Sequence, residues 1–150
     1  MSYQEKNIAV SLASSTLILG FFLISLLLMT RGGNFDSTSV IRLWVIVIVL
    51  SIIVTILGTI LTHIVSAIIQ AVRTNEEPEI EDIADERDKL IDLKGTKVAY
   101  FAFAIGVLLS MLTFALGRPP LVMFTLIILF GIVAQIAGDI SRLYYYRRGF

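Results

Sequence analysis

The sequence predicts an all-α membrane protein, a four-transmembrane-helix bundle with both termini in the cytoplasm. Three observations predict it. Of the 150 residues 57% are apolar and 16% charged, and the mean hydropathy is +0.88, so there is too little polar surface to cover a water-soluble globule. The charged residues leave four long stretches empty. Lys6 to Arg31 encloses 24 uncharged residues, Arg42 to Arg73 encloses 30, and Lys97 to Arg118 and Arg118 to Asp139 enclose 20 each. A helix needs about 20 apolar residues to cross a hydrocarbon core about 30 Å thick. Finally, nine Lys and Arg fall on one side of those stretches and three on the other, and the richer side is cytoplasmic. These features exclude a soluble enzyme, a disordered chain and a nucleic-acid-binding domain.

The first span runs over 8–29. Its apolar stretch is longer than the ~7–15-residue core of a cleaved signal, which makes it a retained span. Gly32-Gly33-Asn34 ends it. The second span covers 40–71, the third 98–117 and the fourth 121–143. Gly117-Arg118-Pro119-Pro120 makes the last connection a tight turn, because proline cannot continue a helix and restricts the residue before it. Spans three and four are therefore expected as an antiparallel hairpin. Tyr3, Tyr100, Tyr144, Tyr145 and Tyr146 fall at the inner interface and Trp44 at the outer one, where amphipathic rings settle.

Small and polar residues recur at helical spacing along each span. Span two carries Ser51, Thr55, Thr59, Thr62, Ser66 and Gln70. Span three carries Ala99, Ala102, Gly106, Ser110, Thr113 and Gly117, and span four Gly131, Gln135, Gly138, Asp139 and Arg142. The weaker stripe of span one holds Ser11, Ser14, Ser15, Phe22 and Ser25. Apolar faces gain nothing by meeting in lipid, so helices associate through close packing and modest hydrogen bonds. The stripes are expected to point inward, as packing surfaces or as the lining of a water-filled path.

Between spans two and three lies NEEPEIEDIADERDKLIDLKGTK, residues 75–97. Pro78 and a crowd of acids suit a helix start, and an amphipathic cytoplasmic helix is expected over about 79–94, bending at Gly95. Ile80, Ile83, Ala84, Leu90 and Ile91 make its apolar face, with Arg87 in the middle. Glu77, Glu81, Asp85, Asp88 and Asp92 make an acidic stripe opposite. That stripe is a solvated face, a docking surface for a basic partner, or one wall of a divalent-cation site. It is not an EF-hand loop, because the required glycine is missing.

Few groups could carry chemistry. There is no cysteine and one histidine, so thiolate chemistry, Cys-ligated metals and His-pair sites are out of reach within one chain, and no cofactor motif is present. Asp139 stands near the inner end of span four, and an Asp at the bilayer centre costs about 2.5–3.5 kcal/mol. It needs a partner. Arg142, one turn on, is one candidate. Arg87 is the other, as a bidentate clamp from the cytoplasmic helix. A transport role for Asp139 is the third possibility. His63, among Thr59, Thr62 and Ser66, is a packing residue or a proton-sensitive element.

Asp85-Glu86-Arg87-Asp88 before the third span, with Gly138-Asp139 and the closing Tyr146-Arg147-Arg148-Gly149-Phe150, resembles a family of uncharacterised prokaryotic four-helix membrane proteins. The resemblance covers the layout of most of the chain and implies no activity. It adds weight to Arg87 and its neighbours Asp85, Glu86 and Asp88.

The chain is accordingly expected to be non-enzymatic and free of cofactors, a multi-pass protein of a prokaryotic inner membrane. It would act by self-association or by binding a partner through the acidic helix, as a homo-oligomer or a subunit of a membrane complex. The alternative is a small oligomeric ion or solute channel or transporter that uses the span-two stripe with His63 and Asp139.

Overall fold

The computed structural model describes residues 3–74 and 86–148. Among them it is all-helical: α1 (Tyr3–Arg31), α2 (Ser37–Thr74), α3 (Glu86–Ala115) and α4 (Pro120–Arg148). At about 1.5 Å rise per residue, each is longer than a hydrocarbon core. All four are long and apolar enough to cross a membrane. Large apolar side chains lie exposed on every helix, among them Leu17, Leu28, Ile52, Phe101, Leu108 and Ile140. So much bare apolar surface is unstable in water and at home in lipid.

The turns follow local rules. Gly33 and Gly117 take positive φ of 70° and 81°, which glycine adopts without steric penalty. After α1 the amide of Asn34 donates to the carbonyl of Met29, and after α3 that of Arg118 donates to Thr113. These bonds satisfy carbonyls that a helix end leaves without partners. Pro120 opens α4, where its missing N–H is no loss. Asp36 caps α2, its Oδ2 accepting from the amides of Thr38 and Ser39 at 3.1 and 3.2 Å. The Ser39 side chain and amide hold the Asp36 carboxyl below the usual carboxylate range.

Helices α3 and α4 make the most extensive contact in the fold. Gly95 faces Arg142, Ala99 faces Gly138 and Gly106 faces Phe130. Advancing along one helix retreats along the other, so the pair is the antiparallel hairpin that the Gly-Arg-Pro-Pro turn predicts. A Cβ on Gly138 would sit 2.9 Å from that of Ala99, so the backbones touch where the small residues fall. The hydroxyls of Ser110 and Thr125 in this region bond back to carbonyls of their own helices. Helix α1 packs on both α4 and α2, whereas α2 meets α4 only lightly. Ile18 and Phe22 of α1 pack with Leu43 and Val47 of α2, and Ile128, Leu129 and Ile132 of α4 close over them. Trp44 joins this cluster and its ring tilts against Phe124. Its Nε1 is buried without a hydrogen-bond partner among the described residues, so the indole packs inward and its N–H does not reach the surface.

The sequence places an amphipathic helix over about 79–94 that runs toward span three and bends at Gly95. The described part, from Glu86, is helical and forms the first turns of α3, which continues through Gly95 as one helix. Residues 79–85, including Asp85, lie outside the described residues. Gly95 is buried and serves as a point of close approach to α4.

Candidate functional site

Charged residues of α4 come together with the start of α3 and the first third of α1. Asp139 is 2% exposed. Its Oδ1 accepts from Nη1 of Arg142 at 2.9 Å, and its Oδ2 accepts from the Ser11 hydroxyl at 2.7 Å. The Gln135 amide lies 3.4 Å from both oxygens, a longer and weaker contact. Arg142 uses each of its guanidinium nitrogens. Nε donates to Asp92 Oδ1 and Nη2 to Thr96 Oγ1, both at 2.9 Å. One Arg–Asp pair thus ties α1, α3 and α4. Two turns toward the helix ends, the Tyr146 hydroxyl donates to Asp88 at 2.8 Å.

The helix phase explains which residues meet. Because α3 is continuous, its start inherits the face that packs on α4 higher up. Stepping back by helical period from Gly106 and Ala99 leads to Gly95, then Ile91, then Asp88. Ile91 and Gly95 are buried, and Asp88 reaches Tyr146. Arg87 is one residue, about 100° of helix rotation, off that line. It is exposed and, among the described residues, the ion-pair partner of Asp139 is Arg142. The Arg87–Asp139 clamp is therefore replaced by the local i,i+3 pair. Within the acidic stripe Asp88 and Asp92 bond residues of α4, although the Asp92 side chain keeps 70% of its surface exposed. Glu86 is exposed. The side chains of His63, Thr59, Thr62, Ser66 and Gln70 lie outside the described ones.

This network forms one end of a cavity of about 1040 Å³ between α1, α2 and α4, to which α3 adds Asp88, Lys89, Ile91, Asp92 and Phe103. Small-molecule sites commonly run to roughly 300–1,000 Å³. On α1 the lining runs from Gln4 to Ile18, on α2 from Val47 to Gly58, and on α4 from Ile127 to Tyr146. Asp139, Arg142, Asp88, Asp92 and Lys89 gather at the end where α1 and α3 begin. At the other end the Ile18–Phe22–Leu43–Val47 cluster closes it, with Phe22 wholly buried and Val47 1% exposed. The cavity is blind toward the α1–α2 turn. Ser51 and Thr55 of the span-two stripe do line it, but their hydroxyls donate to carbonyls of Val47 and Ser51 on their own helix, which leaves that wall less polar than its residue names suggest. Among the described residues no three His, Asp or Glu side chains converge on a point that could hold a metal.

Several members of the site carry little signal in sequence. Asp92, Thr96 and Tyr146 read as solvated or interfacial polar residues, and their roles follow from the seam that Gly95 sets. Ser11 is recognisable as part of the span-one stripe, but nothing in its spacing points to Asp139. No family model matches the chain, and no curated protein or solved structure proved similar to it.

Proposed function

We propose that the protein is a non-enzymatic multi-pass protein of a prokaryotic inner membrane, built as a bundle with both termini and the 75–97 segment in the cytoplasm, and that it works by binding. One observation carries this: the buried Asp139–Arg142 pair opens onto a cavity of about 1040 Å³ that is closed at its far end. A blind chamber with a charged mouth and apolar walls retains a ligand better than it conducts one. The protein works as a homo-oligomer or as a subunit of a membrane complex, since α2 is held chiefly by α1 and keeps Ile41, Val45, Val49 and Ile53 exposed away from the cavity. Docking of a basic partner on the acidic helix has less support, because Asp88 and Asp92 are already engaged by α4.

Native mass spectrometry of the protein extracted from its membrane tests the proposal. Wild type is expected to carry a non-covalently held species. Gly131→Phe, whose side chain enters the cavity from a position with ordinary clearance, is expected to lose it while keeping its helicity. Bare wild-type mass overturns the proposal.

The channel or transporter reading has one observation in its favour, namely that Ser51, Thr55 and Asp139 line the same cavity. Ion and solute flux into vesicles containing the purified protein tests it, with flux that Asp139→Asn abolishes as the supporting result.

A further inference from the structure

The charged side chains at the mouth of the cavity are Asp88, Lys89, Asp92, Asp139 and Arg142. Three carboxylates stand there against two cations, so the mouth is net negative. Its internal bonds do not remove the excess. Arg142 is shared between Asp92 and Asp139, one guanidinium for two carboxylates. Asp88 accepts from the Tyr146 hydroxyl, a neutral donor that leaves the charge in place. Asp139 is buried, and both of its oxygens are engaged inside the protein. Asp88 and Asp92, one turn apart on the same face of α3, are the accessible acids. Among the described residues each is bonded through Oδ1 alone, which leaves Oδ2 of both to accept. The surroundings have the same sign. Eleven of the chain's twelve acids lie on the mouth side of the spans, against nine Lys and Arg.

Beyond the mouth the walls turn apolar. Ile48, Ile52 and Ile56 of α2 and Ile127, Ile128 and Ile132 of α4 line the space. From Gln4 to Ile18 the lining advances along α1 by about 21 Å at 1.5 Å per residue. An anion would meet the excess of carboxylates. A hydrated metal ion would gain nothing from isoleucine walls, and among the described residues no three acids converge to hold one. A positive charge on an apolar body matches both ends of the chamber. Among the described residues α2 touches α4 only lightly and makes no substantial contact with α3, so that flank is not sealed by helix packing and admits a molecule dissolved in the membrane.

We propose that the cavity takes a hydrophobic organic cation, its charge at Asp88 and Asp92 and its apolar body along the isoleucine walls. The inference rests on the binding reading above and names its ligand class. Charge complementarity at the mouth selects the cation, and it acts at higher strength there than on an open surface because the chamber excludes part of the screening water. The apolar walls and the volume of about 1040 Å³ select an organic body over a small ion. Lys89 is exposed, lines the same mouth and makes no ion pair among the described residues. It opposes the ligand, so removing its charge tightens binding while removing that of Asp88 weakens it.

Two ions of one shape and opposite charge test this. Tetraphenylphosphonium and tetraphenylborate are each dialysed to equilibrium, in separate cells, against the full-length protein in phosphatidylcholine nanodiscs, with empty nanodiscs as the blank. Saturable uptake of the phosphonium is expected, and no saturable uptake of the borate. Asp88→Asn keeps an acceptor for Tyr146 and is expected to weaken phosphonium binding several-fold. Lys89→Gln, at an exposed position, is expected to strengthen it several-fold. Gly131→Phe, which fills the chamber from its lining, should abolish it, with helicity checked by circular dichroism for all three variants. Absence of saturable phosphonium uptake overturns the proposal, as does equal uptake of the borate or an affinity that neither charge variant moves. Uptake that survives Gly131→Phe, or that tetramethylammonium displaces at equal concentration, identifies an acidic surface outside the chamber and overturns it too. These outcomes are separate from the fate of the binding reading. An uncharged or anionic species in the native mass spectrum, with no phosphonium uptake, keeps that reading and removes this one, and a bare chain with no uptake removes both.

Discussion

Gly95 on α3 and Arg142 on α4 share a space that has room for only one side chain. A Cβ on Gly95 would overlap Cγ of Arg142 and stand 2.9 Å from its Nε. The arginine lies across the bare backbone and from there reaches Asp92, Thr96 and Asp139. The glycine is what allows the cation to sit between the helices.

Gly95→Ala is expected to destabilise, because the side chain that must yield is held by three hydrogen bonds and cannot rotate away freely. Overpacking of this kind costs about 1–3 kcal/mol, and Gly95→Val should cost more than Gly95→Ala. Gly20→Ala is the control. Nothing lies within 4 Å of its Cβ position, and alanine is the better helix former by about 1 kcal/mol. Unfolding titrations in mixed micelles should rank Gly20→Ala at or above wild type and Gly95→Val lowest. Equal stabilities at position 95 would show that Arg142 is not held there.

The Asp139–Arg142 pair should behave as a unit. Removing either partner leaves the other charge poorly solvated, at a cost of about 3–5 kcal/mol for a buried pair. Arg142→Ala and Asp139→Ala are each expected to destabilise on that scale, and the double variant should lose much less than their sum. Arg87→Ala, at an exposed position, should stay within about 0.5 kcal/mol of wild type. Additive losses in the cycle would dissolve the pair, and a large loss at Arg87 would restore the clamp from the cytoplasmic helix.

Orientation can be read chemically, since the chain has no cysteine. Single cysteines at Asn34 and Arg118, in the two short turns, are expected to react with an impermeant thiol reagent applied to intact cells. Those at Glu86 and Arg148 should react only after the membrane is opened. The reverse pattern would place the nine-cation side outside.

Much of the fold is legible in the sequence because it rests on local chemistry. Four charge-free stretches and a Gly-Arg-Pro-Pro turn define the helices and the hairpin, and the Ala99–Gly106–Ser110 stripe marks its seam. The site is harder to read. Arg87 interrupts an apolar face only if residues 79–94 form a helix with its own phase. Once α3 is continuous, the seam fixes the phase, and Arg87 falls away from α4 while Asp88 and Asp92 fall within reach of Tyr146 and Arg142. The bond from Ser11 to Asp139 joins residues far apart in the chain, and helical periodicity does not report such pairs. Asp36 could have been recognised as a cap from its place before Ser-Thr-Ser at the start of α2. The shape of the cavity arises from what α2 does not touch, and no single residue encodes it.

The apolar floor of the cavity bears on the energetics of the whole cell. In an energised membrane each elementary charge that crosses dissipates about 2.3 kcal/mol per 100 mV. Ions and protons drawn to the charged mouth would find a wet route through most of the bilayer if the chamber ran on to the α1–α2 turn. Ile18, Phe22, Leu43 and Val47 interrupt that route with side chains that are at most 6% exposed. Four aliphatic and aromatic groups thus stand where a leak would otherwise run, and a chamber with a charged mouth can sit in the membrane without short-circuiting the gradient.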